Sequence, residues 1–164
     1  MSSAPLEDAP VVLVSACLLG HACRYDGRDN GSPALLAALS GKAVVPVCPE
    51  AGAGLGTPRP PVQLHGGDGS AVLDGLARVR EVDGGVDRTG AFLDGARRVV
   101  EAAHAHGATV AVLKERSPSC GCRQVWRDGA RVAGRGVAAE ALSRAGVRVL
   151  SDEELRAPPP PGAL

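Results

Sequence analysis

Aromatic side chains are almost missing from this chain: one Phe, one Tyr and one Trp in 164 residues. Three rings are too few for the stacking platforms that grip single-stranded nucleic acid. A core without them must be packed from Val, Leu and Ala, which suits a Val-rich parallel sheet covered by Ala-rich helices. Net charge is absent too, with 18 cations against 18 anions, so no global attraction draws the protein to nucleic acid or an anionic membrane. Lysine is scarce. Only two of the cations are Lys, and the Arg residues are dispersed among Asp and Glu as on a solvated surface. No apolar run approaches the roughly 18 residues of a spanning helix. No basic residue precedes the run Val11–Gly20, so no signal peptide is read there. Five cysteines, an odd number without the density of a disulfide scaffold, suggest a reducing compartment, and a cytoplasmic location is expected.

What is present is a repeated pattern of strand followed by thiol. Leu113–Cys122 reads LKERSPSCGC: a β-branched apolar run, Thr109–Leu113, leads into Ser-Pro-Ser-Cys-Gly turn chemistry. Cys17 ends VVLVSAC and Cys48 ends AVVPVC. If those three strands are parallel neighbours, their carboxyl ends share the edge where ligands of open α/β sheets bind. Thiols 31 and 72 residues apart then converge.

In chain order, residues 1–10 read as a disordered lead-in, followed by a strand at Val11–Ser15 and an irregular loop at Leu18–Gly31. That loop holds no GxGxxG fingerprint. Ser32-Pro33 is an N-cap followed by proline at the first helical position, opening a short helix through Leu39. Strand two is Ala43–Val47. The Gly- and Pro-rich Pro49–Pro61 reads as a shaped loop that is neither helix nor central strand. Ala77–Val82 reads as an edge strand or hairpin lengthening the sheet. Thr89–His106 is the clearest helix, apolar along Phe92, Leu93, Ala96, Val99, Val100 and Ala103, with Thr89 as its cap and Gly107 as its end. After strand Thr109–Leu113 come a Gly-rich passage, a helix at Val137–Ala145, a strand at Val147–Leu150 and a capped SDEEL turn. Residues 158–164 read as a disordered Pro-rich tail. The expectation is a single three-layer α/β domain over residues 11–157, with a mostly parallel, Rossmann-like sheet and a ligand site at the strand carboxyl ends.

Each cysteine alone is as well explained by packing as by chemistry. Three at corresponding strand ends are not: a disulfide uses two, and a closed zinc site wants four. Soft sulfur ligands select iron–sulfur clusters, zinc or copper(I). A cubane held by three thiolates leaves one iron open as a Lewis acid. Cys23 and Cys122 are the candidates for a fourth ligand. A non-catalytic metal-binding or redox-sensing module, with a structural cluster or zinc, is the competing class.

SACLLGHACRYDG (Ser15–Gly27), CPEAGAGLGTPRPP (Cys48–Pro61), LDGLARV (Leu73–Val79), GVDRTGAF (Gly85–Phe92) and LKERSPSCG (Leu113–Gly121) together resemble the thiouracil desulfurase family, from about Val11 to Val149. The resemblance implies a 4Fe-4S cluster on Cys17, Cys48 and Cys120, whose open iron takes the substrate sulfur. It further implies Glu50 as acid/base and Ser117 as a substrate-positioning group, acting on a small thiolated heterocycle such as 2-thiouracil by non-redox hydrolysis. Arg24, Tyr25, Asp26, Arg59 and Ser119 are candidates to bind substrate or organise its loops. His21, His65, His104 and His106 have no spacing that demands a ligand. The chain departs from the family pattern at Ala53, Gln63, Arg88 and Cys122, and Val125–Val137 is shorter than usual. Those changes bear on the substrate pocket more than on the thiols.

Overall fold

The computed structural model describes residues 6, 8–28 and 30–156. In chain order its elements are β1 (Val11–Ser15), α1 (Pro33–Ala38), β2 (Ala43–Val47), α2 (Pro49–Gly52), β3 (Val62–His65), α3 (Gly69–Leu73), β4 (Arg78–Glu81), α4 (Thr89–His106), β5 (Val110–Leu113), β6 (Gln124–Arg127), β7 (Ala130–Ala133), α5 (Val137–Arg144), β8 (Arg148–Ser151) and α6 (Asp152–Arg156), with a 3-10 turn at Ala16–Leu19.

Strands that are apolar at every position need cover on both faces, and the first sheet has it. Its order is β2-β1-β5-β8, parallel throughout, with Leu13 of β1 opposite Val45 on one side and Ala111 on the other. Because side chains alternate along a strand, Val12 and Val14 face one layer with Leu35 of α1 and Leu155 of α6. Leu13, Ala111 and Leu113 face the other, with Val99 and Ala103 of α4 and Ala139 and Leu142 of α5. The fold is α/β, helices packed on both faces of a mostly parallel sheet, as the sequence implies.

Helix α4 follows the pattern read from its sequence, burying Phe92, Ala96, Val99 and Ala103 while Asp94 pairs with Arg97 and Arg98 outside. Its cap differs. Thr89 is the first helical residue, and its hydroxyl accepts the Val79 N–H at 2.8 Å; Asp87 instead accepts the Thr89 N–H at 2.8 Å. The expected lead-in is also shorter than residues 1–10, because Leu6 and Ala9 are buried in the core. Residues 1–5 and 7, and the expected tail 158–164, lie outside the described residues.

Two further corrections concern the middle of the chain. Pro49–Pro61 opens on the helical turn α2, since proline at the first helical position loses only an N–H that has no helical partner anyway. The strand expected near Ala77–Val82 exists as β4, but it does not lengthen the first sheet. It pairs antiparallel with β3 in a second sheet of order β4-β3-β6-β7. The β6–β7 hairpin turns on Asp128-Gly129, both with positive φ, the two-residue turn whose twist matches its strands. Leu64, Val79 and Val125 turn inward against Phe92, Ala96, Val137 and Ala138. Gly136 lets the start of α5 touch the thiol-bearing turn: a Cβ there would stand 2.4 Å from the Ser119 carbonyl carbon.

Candidate functional site

A cavity of about 630 Å³ opens at the carboxyl edge of β1, β2 and β5, and Cys17, Cys23, Cys48 and Cys120 all line it. The three strands deliver their thiols differently. Cys48 directly follows β2 and occupies the N-cap position of α2. Cys17 sits two residues past β1 in the 3-10 turn. Cys120 comes seven residues after β5, in a turn closed by the Gly121 N–H donating to the Ser117 carbonyl at 2.8 Å. The thiols feel one another. Burial raises the Cys17 thiol, opposed by the Asn30 amide and reinforced by Cys48, and burial carries Cys120 well above the ordinary range despite a hydrogen bond with Ser15. Cys23 is pushed up to about 12 by burial and by Cys48.

Cys122 stands apart. It does not line the cavity; its thiol lies 3.5 Å from the Cys120 carbonyl oxygen, and burial with Glu115, Glu154 and Asp152 pushes it up to about 12. Among the described residues no three His, Cys, Asp or Glu side chains are close enough to hold one ion. Thiolates on a single zinc are roughly 3.8 Å apart, from Zn–S bonds of about 2.3 Å in a tetrahedron. These thiols line one cavity without meeting at a point. A cluster whose thiolates each bind a different iron fits that donor set, several soft sulfur donors lining one cavity.

Glu50 lies in the first turn of α2 and also lines the cavity. Its carboxylate is held at both oxygens: Arg59 Nε is 3.2 Å from Oε1 and the Ser119 hydroxyl donates to Oε2 at 3.0 Å. The ion pair is largely buried, 8% and 15% exposed, so removing either partner strands a charge. Arg59 Nη2 also donates to the Cys23 carbonyl at 2.9 Å, and the Arg59 N–H to the Tyr25 carbonyl at 2.7 Å, which ties the CPE loop to the CRYDG loop. Helix α2 itself is seated on α4 at Gly95, where a Cβ would stand 2.3 Å from the Pro49 carbonyl oxygen.

The remaining candidates separate by position. Ser117 lines the cavity while its oxygen accepts the N–H groups of Ser119 and Cys120, each at 3.1 Å. Ser119 is 1% exposed and faces Glu50. Arg24, Tyr25 and Arg59 line the cavity and Asp26 does not; Asp26 pairs with Arg24 at 3.5 Å within its own loop and accepts the Arg28 N–H at 3.0 Å.

One carboxylate escaped the sequence reading. Glu115 is 3% exposed, and its Oε1 accepts the N–H groups of Cys122, Arg123 and Gln124 at 2.9–3.1 Å. Burial works to raise its pKa, but these bonds and Ser151 hold it below the ordinary value. Glu115 thus folds the segment behind Cys120 back on itself. A Glu at a strand end gives no sequence signal of that role.

The 2-thiouracil desulfurase family model matches residues 12–154. The chain is 38% identical over 148 residues to the uncharacterised protein YbbK of Bacillus subtilis (strain 168), covering 88% of this chain and 97% of that one. It is 36% identical to the solved structure of the [4Fe-4S]-dependent thiouracil desulfidase TudS, with a TM-score of 0.75 over 88% of this chain and 92% of the other. With Cys17, Cys48 and Cys120 all lining one cavity, the chain belongs to the 2-thiouracil desulfurase family.

Proposed function

We propose that this protein is an iron–sulfur-dependent desulfurase that removes sulfur from a small thiocarbonyl heterocycle of the 2-thiouracil kind, by hydrolysis without net redox change. The observation that carries the reading is the placement of Cys17, Cys48 and Cys120, from three adjacent parallel strands, on the cavity that also holds Glu50. These three thiols would hold a 4Fe-4S cluster. When bound, such a cluster supplies an iron without a protein ligand, a Lewis acid for a soft thiocarbonyl sulfur.

The chain's own residues supply the rest. Glu50 accepts the proton of the attacking water, and Ser119 and Arg59 fix the direction of its carboxylate. The water oxygen bonds to the ring carbon, the carbon–sulfur bond breaks with its electron pair on sulfur, and the products are the oxo heterocycle and hydrogen sulfide. Ser117 has committed its oxygen to two backbone N–H groups, which leaves its O–H to point a hydrogen bond at the substrate. Arg24, Tyr25 and Arg59 form the loop side of the pocket, and Asp26 orients Arg24. Anaerobic incubation of cluster-loaded protein with 2-thiouracil is expected to release uracil and sulfide in equal amounts. Cluster-loaded protein that releases neither overturns the reading.

A further inference from the structure

The chain has only three aromatic residues, and two of them stand half exposed on this one cavity. Tyr25 is 42% exposed and Trp126 46%, and both line it; Phe92 alone is spent on the core. Trp126 belongs to the second sheet, where Val125 beside it is fully buried, so strand alternation turns the indole to the opposite, outward face. On the neighbouring strand Gln63 faces the same way, next to buried Leu64, and also lines the cavity. Its Oε1 accepts the Gly129 N–H at 2.7 Å, which fixes the amide orientation and leaves the NH₂ as the branch open to a ligand. Val62, which also packs against the core, and Val82, 50% exposed, line the cavity as well.

An indole left half exposed keeps a large apolar face in contact with water. A flat ring laid on it removes both faces from solvent, and stacking adds to that gain. We infer that Trp126 is a specificity-determining residue, the platform on which the heteroaromatic ring of the substrate stacks, with the Gln63 NH₂ donating to a ring carbonyl or nitrogen. This rests on the desulfurase reading and adds what that reading does not name: the residues of this chain that seat the planar ring and its acceptor edge. The thiols and Glu50 act on the sulfur and its carbon. The second sheet recognises the ring that carries them.

The test is a split between binding and turnover. Trp126→Ala should keep the cluster absorbance and raise KM for 2-thiouracil roughly tenfold, the scale of a lost base-stacking contact, with kcat little changed. Trp126→Phe should restore most of the loss, and Gln63→Glu should raise KM by offering a charge where the ring presents acceptors. Trp126 is also the chain's one tryptophan, so its fluorescence reports the site directly. In Glu50→Gln, intended to hold substrate without turning it over, 2-thiouracil should quench that fluorescence saturably. An unchanged KM in Trp126→Ala, or no saturable quenching, overturns the inference while leaving the desulfurase reading intact. If wild-type protein carries its cluster but desulfurises nothing, the reading falls, and the same titration on that protein still decides whether the ring seats on Trp126.

Discussion

The two sheets meet across one cavity and are built by different rules. The first is parallel, and its central strands β1 and β5 are buried almost throughout; it ends in thiols. The second is made of four-residue strands with little burial: β4 alternates exposed with buried, β3 and β6 each bury one residue and β7 none, and Gln63 and Trp126 line the cavity from it. A sheet covered on both sides holds its strand ends rigidly, which a three-point metal site needs. A sheet with one wet face can vary its outward residues at little cost to the core. Under the proposed function, the first sheet carries the reaction chemistry and the second the recognition.

The most drastic way to break that division is at the thiols. Cys17→Ala, Cys48→Ala and Cys120→Ala should each abolish the visible absorbance of anaerobically reconstituted protein, while Cys23→Ser and Cys122→Ser keep it. Cluster loss in Cys122→Ser would mean that a thiol outside the cavity is a ligand, contrary to its placement. Next in size, Glu50→Gln should keep the cluster and slow desulfurisation by roughly 100-fold or more, the scale of general acid–base catalysis, read as anaerobic turnover at matched iron content.

A smaller effect is expected where the sheets are stapled together. Gly136 has an ordinary negative φ, so alanine is acceptable to its backbone, but the new methyl would stand 2.4 Å from the Ser119 carbonyl carbon and 2.8 Å from the Cys120 amide nitrogen. Gly136→Ala should cost about 1–3 kcal/mol of stability as overpacking, seen as a lower thermal midpoint, and should loosen cluster retention because the displaced segment carries Cys120. The smallest effect lies at the far side of the second sheet. The Thr89 N–H and then Arg78 hold the Asp87 carboxyl down at about 2. A depressed folded-state pKa stabilises fully above the unfolded value of about 3.9 and is lost as pH falls through about 2. Asp87→Asn should therefore be slightly less stable than wild type in urea at about pH 6, and the gap should close as the pH approaches about 2.

What could be read from the sequence followed the same division. β1, β2 and β5 were legible because a short Val-rich run admits few readings, and the Cys, Pro and Gly after each run mark where it stops. Helix α4 was legible from its period, although its cap was not, since Thr89 and Asp87 are both good capping residues and only the contact with Val79 separates them. The second sheet was hidden because β3 and β6 lie far apart in the chain, Val62–His65 against Gln124–Arg127, are four residues long, and carry Gln and His at outward positions. The Asp128-Gly129 turn was the one local signal for its hairpin. In the site, cysteine spacing pointed to the cavity, but no spacing could show that Arg59 pairs with Glu50 rather than with an Asp, or that Ser119 faces Glu50.

The central claim is that Cys17, Cys48 and Cys120 hold a 4Fe-4S cluster, and the most direct measurement is the iron, zinc and acid-labile sulfide content of anaerobically purified protein. The account expects a brown protein with about four irons and four sulfides per chain and negligible zinc. A colourless protein carrying zinc at about one per chain would contradict it.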